Sequence, residues 1–159
     1  MINPILEQKM DKIAEQIFGT EKDPDQIPIN RESGEKLEKL TPHWIKYALD
    51  DKGEPIAWSI VVPTSLEMMN KFLRGGITEK ELLDLTKPQD MYEALYLCAI
   101  VTVPEHQRKG YALKLTIESI NSIPHVENVK LFVWPYSTEG AKFIEKLSKS
   151  LKINILLKQ

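Results

Sequence analysis

One cysteine in 159 residues, Cys98, rules out an intrachain disulfide, and a cytoplasmic location is the default expectation for such a chain. Cys98 stands in the most apolar stretch, so it reads as a buried thiol without a nucleophilic role. Charge of one sign is equally scarce. Lys and Arg number 21 against 23 Asp and Glu, a formal net charge of −2, so neither nucleic acid nor another polyanion is an expected partner. No apolar run nears the ~20 residues of a membrane span, and the N-terminus lacks the basic-then-apolar layout of a secretory signal. No membrane partner is therefore expected. Neither G-x-G-x-x-G nor G-x-x-x-x-G-K-[ST] occurs. Internal repeats and low-complexity tracts are absent, and no metal ligand set is assigned.

What is present is ordinary in amount, with 42% apolar and 28% charged residues, and predicts one globular domain over 1–159. The chain is organised around Leu95–Ala112. This stretch opens as an apolar run rich in β-branched residues, stopped by Pro104, which predicts a buried strand. Leu113, Ile117 and Ile120 then recur at helical spacing, predicting a helix that starts near Arg108 or Lys109. A strand, a tight loop and a helix N-terminus in succession form an anion site, because the first amides of a helix have no internal partner. Gly110 lets a bound group approach the backbone closely.

Around this stretch, Asn3-Pro4 starts a helix whose face holds Leu6, Met10, Ile13 and Ile17, closed by Gly19. A short helix is predicted near 31–40. His43–Leu49 and Pro55–Val62 read as strands joined by Asp50-Asp51-Lys52-Gly53; the second is apolar on both faces, as a central strand is. His43 and Trp44 read as packing residues at a strand start. A helical insertion at about 63–91 follows, with one helix capped at Thr64 or Ser65 and closed by Gly75-Gly76, and a second opened by the capping box Thr78-x-x-Glu81. Val129–Trp134 is a strand, Ser137 or Thr138 caps the last helix, and Ile153–Leu157 ends as a strand.

The strands before Pro104 and Pro135 are joined by one helix, so they are parallel with a right-handed crossover. Proline has no N–H for the ladder, which predicts that the two strands part at these ends. Ligands of open α/β sheets bind beyond such ends. The gap leaves main-chain groups of Val101, Thr102 and Val103 for an extended ligand that carries amides.

Gln107-Arg108-Lys109-Gly110-Tyr111-Ala112, with the lead-in Val103-Pro104-Glu105, resembles the Q/R-x-x-G-x-G/A pattern of the GNAT superfamily of N-acetyltransferases. The resemblance implies a GNAT-like mixed, mostly antiparallel central sheet with a parallel, splayed central strand pair and helices on both faces. It implies acetyl-CoA as cofactor, held by Val101, Thr102, Val103, Gln107, Arg108, Lys109, Gly110, Tyr111, Ala112 and Ser137. It implies direct acetyl transfer to an amine, in which the amine loses a proton, an oxyanion is stabilised by backbone amides near Val101 to Val103, and the thiolate is protonated. The partner it implies is a small-molecule or peptide amine acceptor, with a homodimer left open. Many members carry a tyrosine in an A-x-x-Y-E-K-L-like run; here Ala141-Lys142-Phe143-Ile144-Glu145-Lys146-Leu147 places Ile144 there. Tyr136 and Tyr96 are the remaining candidates for proton transfer. Ala94, Tyr96 and Cys98 are expected on one face of the organising strand, Leu95, Leu97 and Ala99 on the other, with Glu93 the one acid, at its start. The alternative to an enzyme is a non-catalytic acyl-CoA-binding or regulatory domain of the same fold. The insertion either shapes the acceptor pocket or decorates the surface.

Overall fold

Among the described residues, five strands form one mixed sheet with helices on both faces. The computed structural model describes residues 2–18, 23–135 and 137–159. Across the sheet the strands keep chain order: β1 (Ile45–Leu49), β2 (Pro55–Thr64), β3 (Ala94–Thr102), β4 (Lys130–Val133) and β5 (Ile155–Leu157). The β1/β2 and β2/β3 junctions are antiparallel, and β3/β4 and β4/β5 are parallel. The antiparallel ladders are the longer ones, but two of the four junctions are parallel, one more than the sequence reading allowed for.

The apolar periodicities decide which face each helix covers. α1 (Pro4–Phe18), α2 (Arg31–Leu40), α3 (Leu66–Leu73) and α4 (Glu79–Leu85) bury Met10, Leu37, Phe72 and Leu82 against Trp58, Tyr96 and Phe132. α5 (Tyr111–Asn121) and α6 (Thr138–Leu151) bury Ile120, Ile144 and Leu147 against Val61, Leu95 and Leu131 on the other face. β2 is buried along its whole length, as a central strand should be. Predicted caps are in place: Asn3 Oδ1 accepts the Leu6 amide at 2.8 Å, and Ser65, Thr78 and Ser137 cap α3, α4 and α6. The expected Gly19 cap lies outside the described residues.

Several expected boundaries shift for physical reasons. β2 continues through Pro63 and Thr64, which pair with Leu95 and Ala94, so the insertion spans 65–93. Proline is tolerated there because odd-numbered β2 residues turn their N–H toward β1, as Val61 does to Trp44 O, and Pro63 lies beyond the end of β1. α5 begins at Tyr111 rather than at Arg108 or Lys109, because Arg108 and Gly110 are left-handed, with φ of 65° and 86°. β1 starts at Ile45, with Trp44 buried and His43 exposed just before it. β4 and β5 are each shorter than expected. Ile17, assigned to the packed face of α1, is 43% exposed. Among the described residues no helix is long and apolar enough to cross a membrane.

α4 is tied down at both ends. Thr86 donates its hydroxyl proton to Leu82 O at 2.7 Å, so across the 2.7 Å Thr64–Thr86 contact the donor is Thr64, on β2. At the N-terminal end the Lys80 amide donates to Asp25 O at 2.9 Å, and at the C-terminal end Asp84 also pairs with Lys36 of α2.

Candidate functional site

β3 and β4 part as the two prolines predicted. Their pairing runs from Ala94↔Lys130 to Leu97↔Val133 and stops there, whereas β3 stays paired with β2 as far as Thr102. The separation begins where the β2/β3 register slips: Ile60 faces Ala99 and Val61 faces Leu97, so Cys98 is an extra residue, a β-bulge. The bulge changes the expected alternation. Cys98, Ala99 and Val101 all pack on the α1–α4 face, with Ile100 on the other. Ala99 is therefore on the side of Tyr96 and not on that of Leu95 and Leu97.

The parted strands, the loop before α5 and the start of α6 enclose a cleft of about 610 Å³. The Val103 amide donates to Ile56 O at 2.9 Å. Hydrogen-bonded pairs alternate along an antiparallel ladder, so Val101 and Val103 turn their main-chain groups to β2 while Ile100 and Thr102 turn theirs to the cleft. This corrects the expectation that Val101 and Val103 are free. The Thr102 carbonyl already accepts from Gln107 Nε2 at 3.2 Å, so Gln107 braces the loop to the strand.

Gly110 is the N-cap residue of α5 and supplies no side-chain acceptor. The first helical bond runs from Lys114 N to Gly110 O, so the amides of Tyr111, Ala112 and Leu113 precede the internal ladder, and these three residues line the cleft. A Cβ on Gly110 would meet nothing within 4 Å. The glycine is required there by its left-handed φ and leaves open space beside the cleft. Val101, Thr102, Gln107 and Arg108 border this cleft, as do Gly110, Tyr111, Ala112 and Ser137. Val103 and Lys109 are not among its lining residues. Ile144, in the place of the usual tyrosine, is 5% exposed and lines the cleft with Phe143.

Of the two proton-transfer candidates, Tyr96 does not line the cleft. Tyr136 lies outside the described residues, although Pro135 and Ser137 on either side of it border the cleft. Tyr96 is 1% exposed and packed edge-on to Phe72, with ring centroids 4.9 Å apart. Its hydroxyl donates to Glu79 Oε2 at 2.7 Å. Glu93 is exposed, and its carboxylate accepts the Leu66 amide at the start of α3.

The chain matches no protein-family model, and no curated protein matches it.

Glu79 is the residue that sequence reasoning missed. It sits in the first turn of α4, 8% exposed, and reaches β3 from the insertion. Its Oε1 accepts the Ile27 amide at 3.0 Å and the Cys98 thiol at 3.7 Å, and its Oε2 accepts Tyr96. Burial pushes its pKa up against the lowering effect of these donors. Burial, and then the neighbouring Glu79, push Cys98 well above the ordinary thiol value, so Cys98 is a neutral thiol and not an activated nucleophile. It is half-buried and lines the cleft, which revises the expectation of a thiol enclosed in the core. The capping box around Thr78 and Glu81 marked the helix but gave no sign that the carboxylate between them crosses to another element.

Proposed function

We propose that the cleft binds acetyl-CoA and that the chain is a GNAT-like N-acetyltransferase, moving the acetyl group directly to an amine. The observation that carries this reading is the parting of two parallel strands beside a glycine-started helix N-terminus. An extended amide-bearing arm fits between strands that are no longer paired with each other, and a diphosphate fits the first amides of α5 with no side chain in the way. The residues present fit the ligand. Ile100 and Thr102 would pair with its amides, the amides of Tyr111 to Leu113 would hold the diphosphate, and Arg108 would add charge. Acetyl-CoA supplies an acyl group activated as a thioester. In the transfer the amine nitrogen forms a C–N bond as the C–S bond breaks; an entering ammonium gives up two protons, of which one ends on the thiol and one in solvent.

Ile144 favours a second reading, a domain that binds acyl-CoA without catalysis, since it has no proton to give. Calorimetry with acetyl-CoA and release of free CoA in the presence of primary amines separate the two. An enzyme binds acetyl-CoA and releases CoA in proportion to amine; a binding domain does only the first. Absence of binding overturns both.

A further inference from the structure

A second cavity, of about 370 Å³, lies on the α1–α4 face at the end of the sheet where β4 and β5 finish. Its walls include Phe72, Trp134, Glu79, Glu81, Asp25 and Lys158. Trp134 also borders the cleft, and so does Cys98, whose thiol meets Glu79. The Glu79 carboxylate is thus placed between the two cavities. A carboxylate offers about four acceptor positions. Among the described residues three are used, by Ile27 N, Tyr96 Oη and Cys98 Sγ, which leaves one for a further donor.

The aromatic wall already holds a cation. Lys158 Nζ stands over the Trp134 ring at 4.7 Å from its centroid and over Phe72 at 5.6 Å. Two ring faces and three carboxylates around one cavity favour an ammonium with a slender aliphatic stem, and the protein's own lysine has that shape and charge. The cation is held by the rings, while the open acceptor position of Glu79 is on Oε2, beside the Tyr96 hydroxyl.

From these contacts we infer that the second cavity is a site for a primary alkylammonium, which displaces Lys158 from the Phe72–Trp134 pair and gives one proton to the Glu79 carboxylate. The inference deepens the acetyltransferase reading, on which its catalytic part rests. The proton balance is simple: the ammonium becomes a neutral amine with its nitrogen lone pair freed, and Glu79 becomes a carboxylic acid. Burial, which raises the Glu79 pKa, makes it a better proton acceptor than an exposed carboxylate. Free alkylamines and lysine side chains of peptides share this chemistry.

The test binds 1,5-diaminopentane and Nα-acetyl-lysine methylamide to the full chain by calorimetry, each alone and after addition of acetyl-CoA. Three proteins are compared: wild type, Lys158→Met and Glu79→Gln. Lys158→Met should tighten amine binding at least threefold, because the resident ammonium is gone. Glu79→Gln keeps a hydrogen-bonding group of the same shape; it should weaken amine binding at least tenfold and leave acetyl-CoA affinity within twofold. Preference for one probe assigns the source, free amine or peptide lysine. Amine affinities unchanged in both variants, or no amine binding to any of the three proteins, overturn the inference even if acetyl-CoA binds. Amine binding that responds as expected, with no acetyl-CoA binding, keeps the ammonium site and removes the acetyltransferase reading.

Discussion

At Glu79, a carboxyl kept from water makes stability depend on pH. Its folded pKa is raised, mainly by burial and further by the charge of Asp23. Between the ordinary carboxylate value and the raised one, the folded state holds a proton that the unfolded state has lost. Stability is then full below the ordinary value and falls as pH rises through the folded one. Tyr96 and Cys98, both pushed up, stay neutral over this range and add no slope. Thermal denaturation of Glu79→Gln against wild type should show a difference that grows in favour of the variant from acid to neutral pH; parallel curves would contradict the desolvation argument. Gly110→Ala isolates backbone conformation from space. The added methyl meets nothing within 4 Å, yet φ is +86°, so a loss of about 1 kcal/mol is expected from denaturant midpoints. For proton donation, Tyr136 is the candidate that rests on sequence, through Ile144. Tyr136→Phe should lower kcat at least ~tenfold with little change in acetyl-CoA Kd, since general acids contribute ~10²–10⁴-fold; a kcat within about twofold of wild type would remove it. At this scale the sequence was informative where chemistry is local, as at Gly110. It was silent on Glu79, whose partners Ile27, Tyr96 and Cys98 lie 52, 17 and 19 positions away.

Elements whose signals lie within a few residues of one another were legible. The capping box of α4, the turn at Gly53 and the crossover between β3 and β4 follow from adjacent residues, and each is found where expected. The bulge at Cys98 was not legible, because it is a mismatch between two ladders and neither strand carries it alone. The start of α5 was misplaced because Arg108 adopts a left-handed conformation that its residue type does not advertise. The cap of α4 provides a test. Thr78→Ala removes an acceptor for the Glu81 amide, 3.0 Å away, and should cost about 1 kcal/mol by denaturant titration. An unchanged midpoint would mean that the tertiary contacts of α4, among them those of Glu79, Lys80, Leu82 and Asp84, hold this helix without its cap.

For the molecule as a whole, a net charge of −2 gives no long-range attraction for an anion, so any electrostatic help at the cleft is local. Arg108 and Lys146 border it, with Glu139 opposing them. Acetyl-CoA affinity should therefore fall on going from low salt to ~0.5 M salt, since the screening length shrinks to a few ångströms. Arg108→Gln should weaken binding roughly threefold at low salt, as exposed charges contribute little. An affinity indifferent to salt would assign the diphosphate to backbone amides alone. Architecture was legible in outline from the order of helical and alternating segments, and the insertion was legible as an insertion without its destination. Thr64 and Ala94, which bracket that insertion, are partners on a single rung of the β2/β3 ladder. A chain that leaves and rejoins a sheet at one rung closes the same gap whatever its length, and doubling a flexible loop costs only about 0.6 kcal/mol. The segment 65–93 thus enters and leaves the sheet at one point, and exchanging it would remove the Glu79 carboxylate, the Phe72 ring and the core contribution of Leu82 together, reaching the cleft through Cys98.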